Sequence, residues 1–431
     1  MKRVLILGCN DITKRLLIDL CNHKEHVSDI YLASRQRNEC DELKNLAASM
    51  GVRVTTSGID VSNVEGAMMM IKILAPDLVV NLLPPELALD AMNLAIKAKA
   101  DYIDGTLFGV PEFPSATSLL SKQFERFSDF QSNCKTAVCG AGFVPGAVTT
   151  IIRRAAANDF KKIDSIDMVS VSGEKKPSPY NEKKEKKQKE EKADIDDNLY
   201  SEDVKPPLIA IKAEADKKAF YIKNGKAVES TSFSIEGKSA SGTTVFLSSS
   251  PMLTDLIKEI PEASNVRYFK LGRKPSTVHV PPQDKLDLLK ELGLLSSKPV
   301  KVGNVEVAPV DLMAELLPKM SVDESKKEVE TKARGIVSYE IYITGTSAKD
   351  GKEITKSYII KGDNDEAYEK YNVNAFEVMK GSALIAAVKL MCQDKWVKPG
   401  VFTPAAFDID SYYEAFVAEG IKITEGEGKP F

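Results

Sequence analysis

The first third of the chain alternates short apolar segments with longer amphipathic ones, and this pattern restricts the fold more than any other feature. It predicts strands over residues 3–7, 29–35, 52–60, 77–85, 100–106 and 135–146. Between them it predicts helices over residues 11–22, 38–51, 63–74, 86–99 and 115–130. Strands that alternate with helices form βαβ units, whose strands are parallel. The pattern therefore predicts an α/β fold with an N-terminal, Rossmann-type, doubly wound parallel sheet.

The pattern changes after about residue 147. Period-two alternation and β-branched residues predict strands over 163–172, 208–213, 217–223, 226–236, 242–250, 335–345 and 354–361. Helices are predicted over 147–158, 252–260, 283–292, 309–319 and 373–393. Because few helices separate these strands, we expect an α+β second domain with a mainly antiparallel sheet.

A segment rich in lysine and glutamate, at about residues 174–197, interrupts this second part. Its charges of opposite sign alternate, as in a solvated, mobile surface segment. Nucleic-acid binding would need an unbalanced basic patch with interleaved aromatic residues, which the segment lacks. Since the whole chain has a formal charge of only −3, we expect neither nucleic acid nor a membrane as a partner.

The cysteines bear on where the protein works. They are scattered along the chain without a C-x-x-C pair, which argues against a zinc site and against a disulfide framework; they are Cys9, Cys21, Cys40, Cys134, Cys139 and Cys392. The chain enters its first strand almost at once, so we expect no signal peptide. These features favour a reducing, cytoplasmic location.

The first predicted turn, in RVLILGCNDIT (residues 3–13), resembles a dinucleotide-binding turn with glycines replaced. Gly8 is present, but Asn10 and Thr13 stand at the second and third glycine positions of the G-x-G-x-x-G pattern. A helix N-terminus suits a pyrophosphate because its N–H groups are unpaired. Asp11 could itself cap the helix and occupy those groups. The turn alone leaves open whether a cofactor binds or only the fold remains.

The predicted strand ends add chemistry. Ser34, Arg35 and Arg37 follow the second strand, where a hydroxyl and guanidinium groups suit the 2′-phosphate of NADP. The alternative is that Arg35 and Arg37 are solvent-facing residues at the start of a helix, and NAD remains possible. Pro84 offers a rigid shelf for a nicotinamide ring. The predicted cofactor contacts are Gly8, Asn10, Asp11, Ile12, Ser34, Arg35, Asp60, Leu83 and Pro84.

Asp104 and Thr106 end the fifth predicted strand, where a substrate would meet the cofactor. Asp104 is a candidate catalytic residue and Thr106 a candidate substrate contact. The alternative for Asp104 is a turn or helix-capping residue. No set of residues with the spacing of a metal site is visible, and we expect no metal.

Several longer segments resemble the saccharopine dehydrogenase family, in particular its saccharopine reductase and carboxynorspermidine dehydrogenase branch. They occur in the family's order and span nearly the whole chain: PDLVVNLLPP, DYIDGT, GAGFVPGAVTTII, LIKEIPEASNVRYFKLG, LKELGLLSSKPVKVGNVEVAPVDLM and KPGVFTPAAFDIDSYYEAFVAEGIKI. The resemblance implies a nucleotide domain of residues 1–146 plus about 394–431. It also implies a substrate-binding and dimerisation domain of residues 147–393, and a homodimer.

The implied reaction is NAD(P)-dependent hydride transfer at a secondary amine carbon of an amino acid or polyamine derivative, that is, reduction of an imine or the reverse oxidation. The resemblance places Arg267 and Arg273 at the substrate carboxylates and makes Tyr268 and His279 candidates for substrate contact or proton transfer. For Arg267 the alternative is a salt bridge at the surface or between domains.

Two departures from the family leave a rival hypothesis open. Val144 stands where the family commonly has an aspartate facing the substrate, and Ala405 stands where it has a glutamate. Neither residue can pair with an amine. The leading hypothesis is an NADP-linked oxidoreductase of amino-acid metabolism, and the rival is a non-catalytic or diverged dinucleotide-binding homologue. Neither the substrate nor the direction of reaction follows from the sequence.

Overall fold

The computed structural model describes residues 1–22, 25–35, 37–105, 119–174, 218–231, 235–248, 250, 252–271, 288–289, 291–294, 296, 300–303, 305–309, 312 and 335–428. Several predictions lie outside these residues. They are the strand over 208–213, nearly all of the Lys/Glu-rich segment, and the site candidates Thr106, Arg273 and His279. The helices predicted over 283–292 and 309–319 are described only in small part.

The first sheet is parallel throughout. Its strands are β1 (Lys2–Leu7), β2 (Val27–Ser34), β3 (Val54–Gly58), β4 (Leu78–Asn81), β5 (Asp101–Asp104), β6 (Thr136–Val138) and, from the end of the chain, β17 (Gly400–Phe402). Their spatial order is β17-β6-β5-β4-β1-β2-β3. This order is that of a doubly wound dinucleotide-binding sheet, with one strand added at the β6 edge.

Helices cover both faces of this sheet. They are α1 (Asp11–Asn22), α2 (Asp41–Ser49), α3 (Val64–Leu74), α4 (Ala88–Ala98), α5 (Leu119–Phe124) and α6 (Phe127–Ser132). Val4 and Ile6 of β1 pack into the core on the side of α1 and α2, and Leu5 and Leu7 into the core of α3 and α4. Burial on both sides explains why the strands are continuous apolar runs. The single helix predicted over 115–130 is two short helices in its described part.

The second sheet is mixed and mainly antiparallel. Its strands are β7 (Phe160–Glu174), β8 (Lys218–Lys223), β9 (Lys226–Thr231), β10 (Glu236–Lys238), β11 (Thr244–Ser248), β12 (Asn265–Leu271), β15 (Ile336–Ser347), β16 (Glu353–Asp363) and β18 (Ile423–Glu427). The order is β10-β11-β12-β7-β15-β16-β18, and the β8–β9 hairpin pairs with β12. Only the β12–β7 pairing is parallel among the described strands. A separate hairpin joins β13 (Val300–Val302) to β14 (Val305–Val307). The predicted fold class is confirmed.

A layer of helices joins the two sheets. It contains α7 (Val148–Asp159), α8 (Met252–Glu259), α9 (Asn364–Tyr371), α10 (Ala375–Cys392) and α11 (Ile409–Ala418). One continuous core runs from β1 through α7 and α10 to β15. The chain then adds β17 to the first sheet and β18 to the second. The last part of the chain therefore contributes a strand to each of the two sheets.

One pair of cysteines is bonded, although the scattered cysteines predict no disulfide framework. Cys9, in the turn after β1, is bonded to Cys40, the residue before α2, and their Cα atoms are 5.7 Å apart. They meet because β1 pairs with β2, which brings the ends of the two strands together. A spacing of 31 residues gives no sign of this in the sequence. In the described residues no helix is long and apolar enough to cross a membrane.

Candidate functional site

The turn after β1 requires a glycine at its first position. Gly8 has a φ of +103°, and a Cβ there would lie 2.9 Å from the carbonyl oxygen of Leu82. Its N–H donates to the carbonyl of Ala33 in β2 (2.8 Å). The backbone therefore passes between the ends of β2 and β4 with no room for a side chain, as a dinucleotide turn requires.

Asn10 and Thr13 replace glycines but hold the turn closed. Asn10 Oδ1 accepts from the N–H of Thr13 (3.0 Å), and Thr13 Oγ1 accepts from the N–H of Asn10 (3.2 Å). This reciprocal pair is a capping box at the start of α1. Thr13 Oγ1 also donates to the carbonyl of Gly8 (2.8 Å), and Asn10 Nδ2 donates to that of Leu82 (2.9 Å). The two substitutions therefore preserve the turn.

The expectation that Asp11 caps α1 is wrong, because Asn10 is the capping residue. The Asp11 carboxylate instead lines a cavity between α1 and the α9–α10 corner, together with Lys14, Arg15 and Glu377. Burial, and secondarily the charge of Glu377, raises the pKa of Asp11. Among the described residues, the N–H groups of Asp11 and Ile12 have no hydrogen-bond acceptor. These are the groups that a pyrophosphate would use.

The residues predicted to bind the 2′-phosphate lie near the ends of β2 and β3. Ser34 is buried, Arg35 is exposed, and Arg37 Nε donates to Thr56 Oγ1 in β3 (3.1 Å). Asp60 follows β3 and accepts from the N–H and the hydroxyl of Ser62. These bonds, with a smaller contribution from the charge of Arg35, lower the pKa of Asp60. Two arginines thus stand beside one strand end, where a 2′-phosphate would lie.

The end of β4 is held from both sides. Asn81 is fully buried; its Oδ1 accepts from the N–H of Leu83 (3.1 Å) and its Nδ2 donates to Tyr102 Oη (3.0 Å). Pro84, which is exposed, follows at once. The Leu83–Pro84 segment is therefore a fixed surface next to Gly8, in the place predicted for a nicotinamide ring.

Asp104 is enclosed rather than open to a ligand. It is 0% exposed and accepts from Tyr102 Oη (2.9 Å), Gln123 Nε2 (2.6 Å) and the N–H of Gly140 (2.8 Å). Burial and the Asp104 charge raise the pKa of Tyr102 well above its ordinary value. The carboxylate ties β5 to α5 and to the end of β6, which fits a positioning residue better than one that touches substrate.

A second cavity lies where β6 and β17 end. It is lined by Leu120, Pro145, Gly146, Thr149, Leu256, Glu259, Thr403, Pro404 and Ala405. Glu259 Oε1 accepts from Thr403 Oγ1 (2.8 Å), and its Oε2 accepts from Arg153 Nη1 (3.1 Å). Sequence reasoning missed Arg153, Glu259 and Thr403. Glu259 and Thr403 lie inside segments that carry the family resemblance, but nothing in their spacing brings them together.

Neighbouring residues of β12 face opposite ways. Tyr268 packs on the side of the helix layer, whereas Arg267 faces away from it, with Phe269. Arg267 Nε and Nη2 donate to the two oxygens of buried Asp167 (2.6 and 2.8 Å). These hydrogen bonds raise the pKa of Arg267. Contact of either residue with substrate stays a prediction, and for Arg267 the ion pair favours the alternative of a salt bridge.

The residues at the carboxyl edge fit a dinucleotide with a 2′-phosphate. The space beside Gly8 excludes any Cβ, two helical N–H groups face outward from α1, and arginines flank the end of β2. By contrast, the described residues include no group of three or more His, Cys, Asp or Glu side chains that could hold a metal ion. The carboxyl edge of the first sheet is therefore suited to bind a dinucleotide.

Comparison with known proteins agrees with this geometry. Residues 4–138 match the model of the saccharopine dehydrogenase NADP-binding domain. A carboxynorspermidine synthase of Vibrio alginolyticus is 22% identical over 97% of this chain and 95% of its own length. A carboxyaminopropylagmatine dehydrogenase of Synechocystis is 23% identical over 100% and 99%.

One solved structure shares the fold throughout. Apo saccharopine dehydrogenase (L-Glu forming) from Saccharomyces cerevisiae superimposes with a TM-score of 0.64 and 15% identity, over 99% of this chain and 100% of that chain. The predicted resemblance is confirmed: residues 4–138 match the NADP-binding domain of the saccharopine dehydrogenases, and nearly the whole chain shares the fold of one of them.

Proposed function

We propose that the protein is an NADP-dependent reductase of the imine formed between an amine and a carbonyl compound, one of which is an amino acid or polyamine derivative. The observation that carries the proposal is the turn after β1. There Asn10 and Thr13 replace glycines, yet Gly8 and the free N–H groups of α1 stay in place. The names of the relatives, for carboxynorspermidine and carboxyaminopropylagmatine, support a polyamine-derived substrate.

The residues of the first domain divide the binding of the cofactor between them. The N–H groups of Asp11 and Ile12 would bind the pyrophosphate, and Ser34 with Arg35 would bind the 2′-phosphate. The Leu83–Pro84 segment would orient the nicotinamide. When bound, the cofactor supplies a hydride to the imine carbon, or accepts one in the reverse direction.

The remaining groups would shape the substrate side. Asp104 fixes β5 against β6 through Gly140, so the strand ends keep their spacing. Tyr268, Arg273 and His279 remain candidates for substrate contact or proton transfer, and Thr106 for substrate contact.

A non-catalytic, dinucleotide-binding homologue is the second candidate. Its support is specific: the second cavity has Ala405 and Pro145 in its wall, and Asp104 has no access to solvent. In an active enzyme another polar residue would have to contact the substrate amine. Glu259, which also lines the second cavity, is one such residue.

An activity assay separates the two candidates. NADPH oxidation would be followed with agmatine or putrescine, each paired with aspartate semialdehyde, and the secondary amine product identified by mass spectrometry. We expect oxidation only when both the amine and the aldehyde are present. NADPH binding without oxidation for any pair would support the non-catalytic homologue.

Location, assembly and domain division belong to the same proposal. We expect a cytoplasmic homodimer, in which the Cys9–Cys40 pair would be reduced. We also expect the nucleotide domain to comprise residues 1–146 and about 394–431. The place of β17 in the first sheet supports the return of the tail, although β18 then pairs with β16. Light scattering on the purified protein tests the dimer.

A further inference from the structure

A buried chain of hydrogen bonds lies beneath the carboxyl edge of the first sheet. Asn81 Nδ2 donates to Tyr102 Oη (3.0 Å), and Tyr102 Oη donates to Asp104 Oδ2 (2.9 Å). The three side chains belong to β4 and β5, which pair in parallel with Asn81 opposite Asp104. Each of them is 0% exposed. The ends of the two strands are therefore joined by side chains as well as by the sheet.

The two ends of this chain of bonds reach the edge where the cofactor would bind. At one end, Asn81 Oδ1 accepts from the N–H of Leu83 (3.1 Å), which begins the segment proposed to orient the nicotinamide. At the other end, Asp104 Oδ1 accepts from the N–H of Gly140 (2.8 Å), just after β6. The Tyr102 hydroxyl is therefore the middle link between that segment and the turn after β6.

The middle link needs a group that both accepts and donates a hydrogen bond. The Asn81 amide nitrogen is only a donor, and a carboxylate oxygen is only an acceptor. The Tyr102 hydroxyl is both. Burial, together with the charge of Asp104, raises the pKa of Tyr102 well above its ordinary value. The hydroxyl therefore keeps its proton and continues to donate.

Packing alone would not require this hydroxyl. The Tyr102 ring lies in the core between the first sheet and α4, beside the ring of Phe130, and a phenylalanine would fill the same space. Buried polar groups cost free energy unless they are bonded, whereas a bonded buried network favours a single arrangement of its members. The hydroxyl therefore serves the arrangement of the strand ends rather than the filling of the core.

The two halves of the cofactor would depend on different bonds. The capping box of Asn10 and Thr13 holds the turn proposed to bind the pyrophosphate, and Arg35 follows β2 at the proposed 2′-phosphate site. Neither set of contacts includes Tyr102. Loss of its hydroxyl should therefore affect the nicotinamide half of the cofactor alone.

We infer that Tyr102 is a positioning residue for the nicotinamide ring. Its hydroxyl fixes Asn81, and Asn81 fixes the Leu83–Pro84 segment, against which the ring would lie. Tyr102 is buried and does not touch the cofactor, so it acts through Asn81. This inference rests on the proposed function, because it assigns the alignment of the ring that gives or accepts the hydride.

Two ligands that differ only in the nicotinamide test the inference. NADPH carries the ring, and 2′-phospho-ADP-ribose carries the same pyrophosphate and 2′-phosphate without it. We expect calorimetric titration of the wild-type protein to show tighter binding of NADPH. Tyr102→Phe should reduce this preference by about threefold to tenfold, the worth of one hydrogen bond, and leave the affinity for 2′-phospho-ADP-ribose unchanged.

A second variant and a matched control separate positioning from stability. Asn81→Ala breaks the chain of bonds one link nearer to the ring and should cause a similar loss, to which Tyr102→Phe adds little because both act through one link. Tyr358→Phe is the control, since Tyr358 is 4% exposed and donates to Asp159 (3.0 Å) but lies in β16 of the second sheet. It should keep the wild-type preference. Thermal unfolding of each variant shows whether the fold is intact.

The outcomes distinguish this inference from the proposed function. If the wild-type protein binds neither ligand, the proposed function fails and the inference fails with it. If the wild-type protein prefers NADPH and both Tyr102→Phe and Asn81→Ala keep that preference, the inference is overturned and the proposed function stands. Equal loss of affinity for both ligands in these variants also overturns the inference, because a purely structural role predicts it. So does a wild-type protein that binds the two ligands equally well.

Discussion

The two ends of the same sheet edge are built in different ways. At the β1–β2 end, residues within one turn bond to each other: Asn10 and Thr13 cap α1, and Thr13 holds Gly8. At the β6–β17 end, Glu259 meets Arg153 across 106 residues and Thr403 across 144. The local end has kept its geometry although two glycines are replaced. The non-local end is held together by residues that are distant from each other in the sequence.

Departures from the expected sequence motifs therefore have different consequences at the β1–β2 end and at the β6–β17 end. In the turn, the missing glycines are replaced by a capping box that needs no other segment. At β6 and β17, Val144 and Ala405 stand where the resemblance predicts carboxylates, and the acidic residue in the wall of the cavity there is Glu259 of α8. Four changes to the first end test how much of it the capping box and the strand ends account for.

The largest effect is expected from Gly8→Ala. A Cβ would meet the Leu82 carbonyl and would have to adopt a φ of +103°, so the turn must move away from the phosphates. We expect NADPH affinity to fall by at least about 100-fold, because two hydrogen bonds to a charged group, worth about 1.5–3 kcal/mol each, are lost. Gly51→Ala is the control, since Gly51 also has a positive φ (+72°) but nothing within 4 Å. It should lose about 1 kcal/mol of stability and no NADPH affinity. Wild-type affinity in Gly8→Ala would contradict the role of the turn.

The next effect concerns cofactor choice. Arg35→Glu should lower NADPH affinity by about 10- to 100-fold and leave NADH binding nearly unchanged, because only NADPH has the 2′-phosphate. Calorimetric titration with both cofactors measures the ratio. Arg53→Glu, at an exposed position before β3, is the control for a change of net charge. An unchanged ratio in Arg35→Glu would remove Arg35 from the phosphate site.

A smaller effect, mainly on stability, is expected from Thr13→Val. The substitution keeps the shape of the buried side chain but removes its bonds to the Gly8 carbonyl and the Asn10 N–H. We expect the free energy of unfolding to fall by about 1–3 kcal/mol, measured by urea denaturation. Thr55→Val, at an exposed position in β3, should change it little. Equal losses in the two variants would mean that the capping box contributes nothing.

The smallest effect is expected from Asp11→Asn. The Asp11 carboxylate lies at the N-terminus of α1, where it would repel a pyrophosphate, so its removal should raise NADPH affinity by about twofold to fivefold. Its pKa is raised, so wild-type Asp11 becomes neutral at a higher pH than an ordinary aspartate. The advantage of the variant should therefore shrink as the pH falls. Asp41→Asn, at the start of α2, is the control, and an advantage that grows on acidification would contradict this reading.

Much of the first domain could be predicted from the sequence. Apolar runs such as RVLIL and DLVVN are strands because both faces of the sheet are buried, and this leaves a clear signal in the chain. The sequence left open whether Asp11 caps α1; both Asp11 and Asn10 can cap, only the backbone geometry decides between them, and Asn10 is the cap.

The β6–β17 end could not be predicted in the same way. Glu259 forms hydrogen bonds with Thr403 and Arg153, which are distant from it in the sequence. No local sequence pattern therefore distinguishes Glu259 from other glutamates. The Cys9–Cys40 bond was missed for the same reason, because strand pairing brings the two residues together. The two described candidates that the resemblance supplied differ in their surroundings. Tyr268 faces the helix layer, whereas Arg267 faces away from it and forms an ion pair with Asp167.

The central claim is that the turn from Gly8 to Thr13 is an NADP-binding turn despite its missing glycines. Calorimetric titration of the wild-type protein with NADPH and with NADH tests it most directly. We expect NADPH to bind with a dissociation constant in the micromolar range or below, and NADH to bind at least about tenfold more weakly, since it lacks a charge-assisted phosphate contact. Failure of both cofactors to bind at millimolar concentration would contradict the claim.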